Sequence, residues 1–111
     1  SSSSSSSSSS ASPGTSLQGD TALHIASRKG NEFMIGQLLE LGADPKKTND
    51  AGDTPLHDAV RTTRPQVAKL LLAHGADPSQ KNNASRVAAD ECSALSDFEC
   101  LQCKYYLRTY G

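Results

Sequence analysis

The chain spells nearly the same eight residues twice: GDTALHIA begins at Gly19 and GDTPLHDA begins at Gly52. A shift of 33 residues also superposes two copies of the motif GADP, which begin at Gly42 and Gly75. Between Gly19 and Asn49, 14 of 31 residues are identical to the residue 33 positions later. A fixed period of this length indicates stacked supersecondary units, each of which buries its apolar face against its neighbours.

Each copy predicts two short helices. Thr21 and Thr54 stand where a first helix would begin, and their hydroxyls can cap its free amides. Pro55 follows at the first helical position, where a missing N–H costs nothing. A second run carries apolar residues at helical spacing, which in the first copy are Phe33, Met34, Ile35, Leu38 and Leu39. Gly42 and Gly75 suit the left-handed residue that ends such a helix.

These copies resemble ankyrin repeats, through the motifs G-D-T-[AP]-L-H and L-L-x-x-G-A-D-P at a 33-residue period. The resemblance implies an all-α solenoid of stacked helix–turn–helix units joined by short β-hairpin-like loops. It places repeat 1 at 17–48, repeat 2 at 49–81 and a degenerate capping repeat at 82–111. The side chains expected to share one continuous core are Leu23, Leu38, Leu56 and Leu71.

Residues 82–111 depart from the repeat pattern. The run RVAAD from Arg86 stands where the second copy has DTPLH, so the threonine, proline and histidine are absent. Cys92 falls on the small buried position of the earlier copies, and Lys104 interrupts the stripe of the second helix. That stripe is predicted to contain Phe98, Cys100, Leu101 and Cys103. A terminal unit has one face without a neighbour, which makes an atypical sequence the expected one.

The turn between the two helices also differs between the copies. Gly30-Asn31-Glu32 in the first copy becomes Thr63-Arg64-Pro65 in the second. A β-branched residue rarely adopts the positive φ that glycine supplies. The sequence therefore predicts an altered bend at this point of the second unit.

Composition narrows the function. Eleven Lys plus Arg against twelve Asp plus Glu give a net charge of −1, which provides no general attraction for nucleic acid or a membrane surface. The segment 1–16, with ten consecutive serines, is interpreted as a low-complexity linker or an unassigned stretch. No apolar run approaches the roughly 20 residues that span a bilayer, and no secretory signal pattern is found. Three cysteines favour a reducing compartment over a disulfide framework. We therefore expect an intracellular protein, in the cytoplasm or the nucleus.

The residues that could carry chemistry are few. His24 and His57 occupy the same place in both copies, whereas a catalytic centre needs an asymmetric set of groups around one site. The resemblance implies that these histidines bind backbone between neighbouring units. The sequence predicts no catalytic residue, no cofactor and no metal in the repeats, and it does not favour a small-molecule ligand.

The cysteines leave one alternative open. Cys100 and Cys103 form a CxxC motif, and Cys92 with His74 would complete four ligands for zinc. A single CxxC is a weak signal, and the cysteines equally suit small apolar positions of a capping helix in a stripe with Leu107. A small zinc or thiol site is therefore one alternative function, and a rigid structural spacer is another.

The main hypothesis is a surface that binds another protein or peptide, as in an adaptor or scaffold. The resemblance implies that partners dock on the hairpin tips and the inner faces of the first helices. Carried over to this chain, the candidate surface consists of Leu17, Gln18, Asp20, Arg28, Lys29, Asp50, Ala51, Asp53, Arg61, Thr62, Asn83, Ala84 and Arg86. Arg28 and Arg61 repeat in register, and so do Asp20 and Asp53, which predicts an arginine pair flanked by acids that binds carboxylates of the partner and sets its register.

Overall fold

The computed structural model describes residues 19–92 and 98–110. The predictions for the segment 1–16 and for Leu17 and Gln18 lie outside the described residues. The described elements are α1 (Ala22–Lys29), α2 (Glu32–Glu40), α3 (Pro55–Arg61), α4 (Pro65–Ala73), a 3-10 helix (Ala88–Glu91) and α5 (Phe98–Tyr110). These residues contain no β-strand, and the connections between units are tight loops.

The helices begin and end at the residues that the sequence predicts. The Oγ1 atoms of Thr21 and Thr54 accept hydrogen bonds from amides in the first turns of α1 and α3. The Asn31 side chain caps α2 by accepting a hydrogen bond from an amide at 3.1 Å. Gly42 and Gly75 follow α2 and α4 with φ angles of +101° and +102°, which only glycine adopts readily.

The helices form two layers. In one layer α1 packs on α3 and α3 packs on the 3-10 helix, while in the other α2 packs on α4 and α4 packs on α5. Leu23, Leu56 and Leu71 are buried in the core between the layers, as predicted. Leu38 is only partly buried and packs against the edge of that core.

The apolar stripe predicted for α2 is wrong in two positions. Ile35 and Leu39 are buried, but the Phe33 side chain is 78% exposed and that of Met34 is 38% exposed. Phe33 lies two residues before Ile35, which places the two side chains about 200° apart around the helix. Because α2 packs mainly on α1 and α4 among the described elements, this side of the helix stays open.

The last part of the chain differs from the earlier units. The residues in register with α1 and α3 form only a single 3-10 turn, and α5 continues through Lys104 to Tyr110. Phe98 and Leu101 are 71% and 50% exposed, which corrects their predicted burial. One stripe of α5 faces α4, and it consists of Cys100, Cys103 and Leu107.

The bend between α3 and α4 is not altered, contrary to the prediction. Thr63 adopts a φ of +52°, close to the +73° of Gly30 in the first unit. The Arg64 amide donates to the Ala59 carbonyl oxygen at 2.8 Å, as the corresponding amide of the first unit does at 3.0 Å. Ser85, in the loop that follows Asn82, also has a positive φ, of +62°. These positive φ angles in non-glycine residues cost about 1–2 kcal/mol each, so the packing around them must stabilise both turns.

Candidate functional site

One buried histidine in each of the two units forms a hydrogen bond to the loop of the next unit. His24 Nε2 lies 2.6 Å from the Asp53 carbonyl oxygen, and His57 Nε2 lies 2.7 Å from the Arg86 carbonyl oxygen. In each case Nδ1 accepts a hydrogen bond from a threonine amide at 3.2 Å. The proton therefore belongs on Nε2, which donates to the carbonyl. With both ring nitrogens occupied, the histidines are structural, as the resemblance implies.

Asparagine side chains shape the two loops that carry much of the candidate surface. Asn49 Oδ1 accepts hydrogen bonds from the amides of Ala51 and Asp53, at 2.9 and 3.0 Å. Asn82 Oδ1 does the same for the amides of Ala84 and Arg86, at 2.8 and 3.1 Å. Each side chain thus closes its loop from within, and the residues at the loop tips point outward from a fixed backbone.

The two loops also bind each other. The Asn83 amide donates to the Ala51 carbonyl oxygen at 3.1 Å, and its side-chain amide donates to the Asp50 carbonyl oxygen at 3.0 Å. Of the described candidate residues, Asp20, Asp53 and Thr62 are half-buried. The exposed ones are Arg28, Lys29, Asp50, Ala51, Arg61, Asn83, Ala84 and Arg86.

Arg28 is held by two carboxylates of the chain itself. Its Nη2 atom lies 2.9 Å from Asp20 Oδ2, and its Nε atom lies 3.4 Å from Asp58 Oδ2. The ion pair with Asp58 joins α1 to α3. The charge of Arg28 is thus compensated within the stack, and its role in binding a partner stays a prediction.

The Asp58 side chain is only 3% exposed, although it is acidic. Burial raises the pKa of its carboxyl above the ordinary value, and the attraction of Arg28 partly opposes this rise. Its Oδ2 atom makes the ion contact with Arg28 but accepts no hydrogen bond. The sequence signal was the acidic residue in α3 at the position where α1 has the apolar Ile25.

Arg61 occupies the same position as Arg28, yet it has no ion pair within residues 19–92 and 98–110. By register its partners would be Asp53 and Glu91. The Asn82 side-chain amide donates to both carboxylates, at 2.7 Å and 3.2 Å. The bond to Asp53 repeats that of Asn49 to Asp20 in the first unit, so the bond to Glu91 is what distinguishes the second unit. Glu91 also lies in a 3-10 turn rather than an α-helix, so the geometry of the first unit is not repeated.

Among the described residues, one group of three potential metal ligands converges, formed by Asp53, His57 and Glu91. His57 already uses both ring nitrogens, and Asn82 bridges the two carboxylates. This group is therefore explained by the hydrogen bonds that hold the loop. His74, the fourth ligand of the zinc hypothesis, is exposed at the end of α4.

The three cysteines separate into a pair and a single thiol. The Sγ atoms of Cys92 and Cys100 are paired, with their Cα atoms 5.9 Å apart, a distance that suits a disulfide. The sequence-based expectation of a chain without disulfides did not foresee this pair. Cys103 is a free and fully buried thiol on the next turn of α5. Burial, with a smaller effect of Glu99, raises the pKa of Cys103 to about 11.

We predict that Cys103 reacts slowly with iodoacetamide in the folded chain. At about pH 8 a pKa raised from 9.0 to about 11 reduces the thiolate fraction roughly hundredfold, and burial limits access further. Alkylation of the Cys103 peptide, followed by mass spectrometry, should therefore be at least about a hundredfold slower in buffer than in urea. Equal rates in both conditions would instead favour the thiol-site alternative.

The architecture defines a helical repeat protein in which each unit packs on its neighbours. The family model described as ankyrin repeats (3 copies) matches residues 6–82, which is more than half of the chain. The chain therefore belongs to the ankyrin repeat family. No curated protein sequence matches it significantly. None of the helices in the described ranges is long and apolar enough to cross a membrane.

Proposed function

We propose that this chain is a non-catalytic module that binds another protein or peptide, as an adaptor or scaffold segment of an intracellular protein. Ankyrin repeats are generally non-enzymatic modules for protein–protein interaction. The observation that carries the proposal is the candidate surface itself. Five of its exposed side chains project from loops whose backbone is fixed by Asn49, Asn82 and the two buried histidines, namely Asp50, Ala51, Asn83, Ala84 and Arg86. A fixed backbone lowers the entropy that a binding surface loses when a partner docks.

The proposal is tested by reversing charges on the candidate surface. The 111-residue chain is used to capture partners from a cell extract, beside a double variant with Asp50→Lys and Arg61→Glu. A second double variant, Glu40→Lys and Arg108→Glu, changes exposed residues of α2 and α5 by the same charges and serves as the control. Partners quantified by mass spectrometry should be retained by the control and lost from the first variant.

The other outcomes assign other functions. If both variants retain the same partners, binding takes place away from the candidate surface. If the unmodified chain captures nothing, the module is a spacer rather than a binding domain. Stoichiometric zinc in the purified chain, lost when Cys92, Cys100 and Cys103 are replaced by serine, would support the zinc-site alternative in its place.

A further inference from the structure

Arg61 lines a recess on the candidate surface. The recess has a volume of about 440 Å³ and is bordered by Arg28, Asp58 and Thr62 as well. Arg28 is neutralised by its two ion pairs, and the Thr62 hydroxyl donates to the Asp58 carbonyl oxygen at 2.8 Å. Arg61 is therefore the cation of the recess whose charge no described residue compensates.

The acidic group of the recess is already occupied. The Asp58 side chain is almost fully buried, and its Oδ2 atom, which is closed to solvent, lies 3.4 Å from Arg28 Nε. A ligand in the recess therefore meets the exposed Arg61 rather than Asp58.

We propose that the recess binds an acidic segment of the partner protein, in which one Asp or Glu carboxylate pairs with Arg61. The guanidinium group suits a carboxylate because two parallel hydrogen bonds can form. This inference rests on the proposed function, since it specifies the partner of the same surface. It replaces the pair of equivalent arginines expected from the sequence with a single binding arginine.

The charges of the recess favour a carboxylate over a phosphate. A phosphoryl group carries nearly two negative charges at neutral pH. Bound at Arg61, it would bring that charge into the recess that contains the buried carboxyl of Asp58, with no second free cation from the described residues to compensate it. A carboxylate brings one charge, which Arg61 alone can neutralise. The partner segment is therefore acidic through Asp or Glu rather than through phosphorylation.

The experiment selects short random peptides displayed on phage against the 111-residue chain, and measures the dominant peptide by fluorescence polarisation. We expect an Asp or Glu at one fixed position of the selected sequences. Arg61→Gln should weaken binding of that peptide by about tenfold or more, because a charge-assisted hydrogen bond is lost. Arg108→Gln, the matched control, should leave the affinity within about twofold, as expected for an exposed residue outside the recess.

Two further measurements separate binding from folding. Arg61→Gln should leave the thermal midpoint unchanged, because Arg61 is exposed and unpaired among the described residues, whereas Arg28→Gln should lower it. A peptide with Gln in place of the fixed acid should lose affinity for the unmodified chain and show little further loss with Arg61→Gln. That non-additivity is the sign of a direct contact between the two groups.

Each contrary result has one meaning. Selected peptides that lack a fixed acid, or that bind Arg61→Gln as tightly as the unmodified chain, overturn this inference. The proposed function still stands in that case if the double variant Asp50→Lys, Arg61→Glu fails to bind those peptides. A phosphoserine peptide that binds more tightly than its Glu counterpart overturns the choice of a carboxylate. If no peptide is selected and no protein partner is captured, the proposed function and this inference fail together.

Discussion

Replacing Leu71 with alanine is expected to lower the free energy of unfolding by about 3 kcal/mol. Leu71 is completely buried in α4, the helix that packs on α2 on one side and on α5 on the other. The substitution removes apolar surface and leaves a cavity that α4 cannot close without losing contacts to both neighbours. A domain of this size has a total stability of about 5–15 kcal/mol, so the loss is a large part of it.

The matched control is Leu41→Ala, since the Leu41 side chain is 82% exposed just after α2. This change should alter stability by less than about 0.5 kcal/mol. Urea unfolding followed by circular dichroism at 222 nm measures both variants. Similar losses of unfolding free energy in the two variants would mean that α4 does not form the centre of the stack.

The second large effect is expected for His57→Ala, at about 3 kcal/mol. The substitution leaves a cavity at a buried position and removes two hydrogen bonds at once. The Thr54 amide loses its acceptor, and the Arg86 carbonyl oxygen loses its donor. Because the second bond joins α3 to the following loop, we also expect residues 82–92 to exchange their amide hydrogens faster.

His74→Ala provides the comparison, because His74 is exposed at the end of α4. It should change the unfolding free energy by less than about 0.5 kcal/mol. Hydrogen exchange measured by mass spectrometry distinguishes the two roles. If His57→Ala lowers stability without faster exchange in 82–92, then His57 stabilises only its own helix and does not fasten the loop.

The sequence predicts the first four helices well because their signals are local. Thr21 and Thr54 cap helices through residues only three positions away, and Gly42 and Gly75 end them through their own backbone. The 33-residue period then supplies the stacking order. These features depend on neighbours along the chain, so one sequence is enough to find them.

The rest depends on contacts between units, which the sequence does not display. Whether Phe33 and Phe98 are covered depends on what packs beside them, and both residues proved to be exposed. The difference between Arg28 and Arg61 has the same origin. Asn49 and Asn82 make the same bond to Asp20 and Asp53, but Asn82 also reaches Glu91, which lies in a 3-10 turn whereas its counterpart Asp58 lies in α3.

The left-handed turn residues Thr63 and Ser85 show how the sequence of such a chain can diverge in evolution. Each occupies a position where the preceding unit has glycine, and each keeps nearly the same backbone angle. Packing between the units thus maintains the left-handed backbone conformation of the turn even where the residue itself disfavours a positive φ. Substitutions at the loops can then alter which partner is recognised while the scaffold stays the same, so specificity is free to diverge faster than architecture.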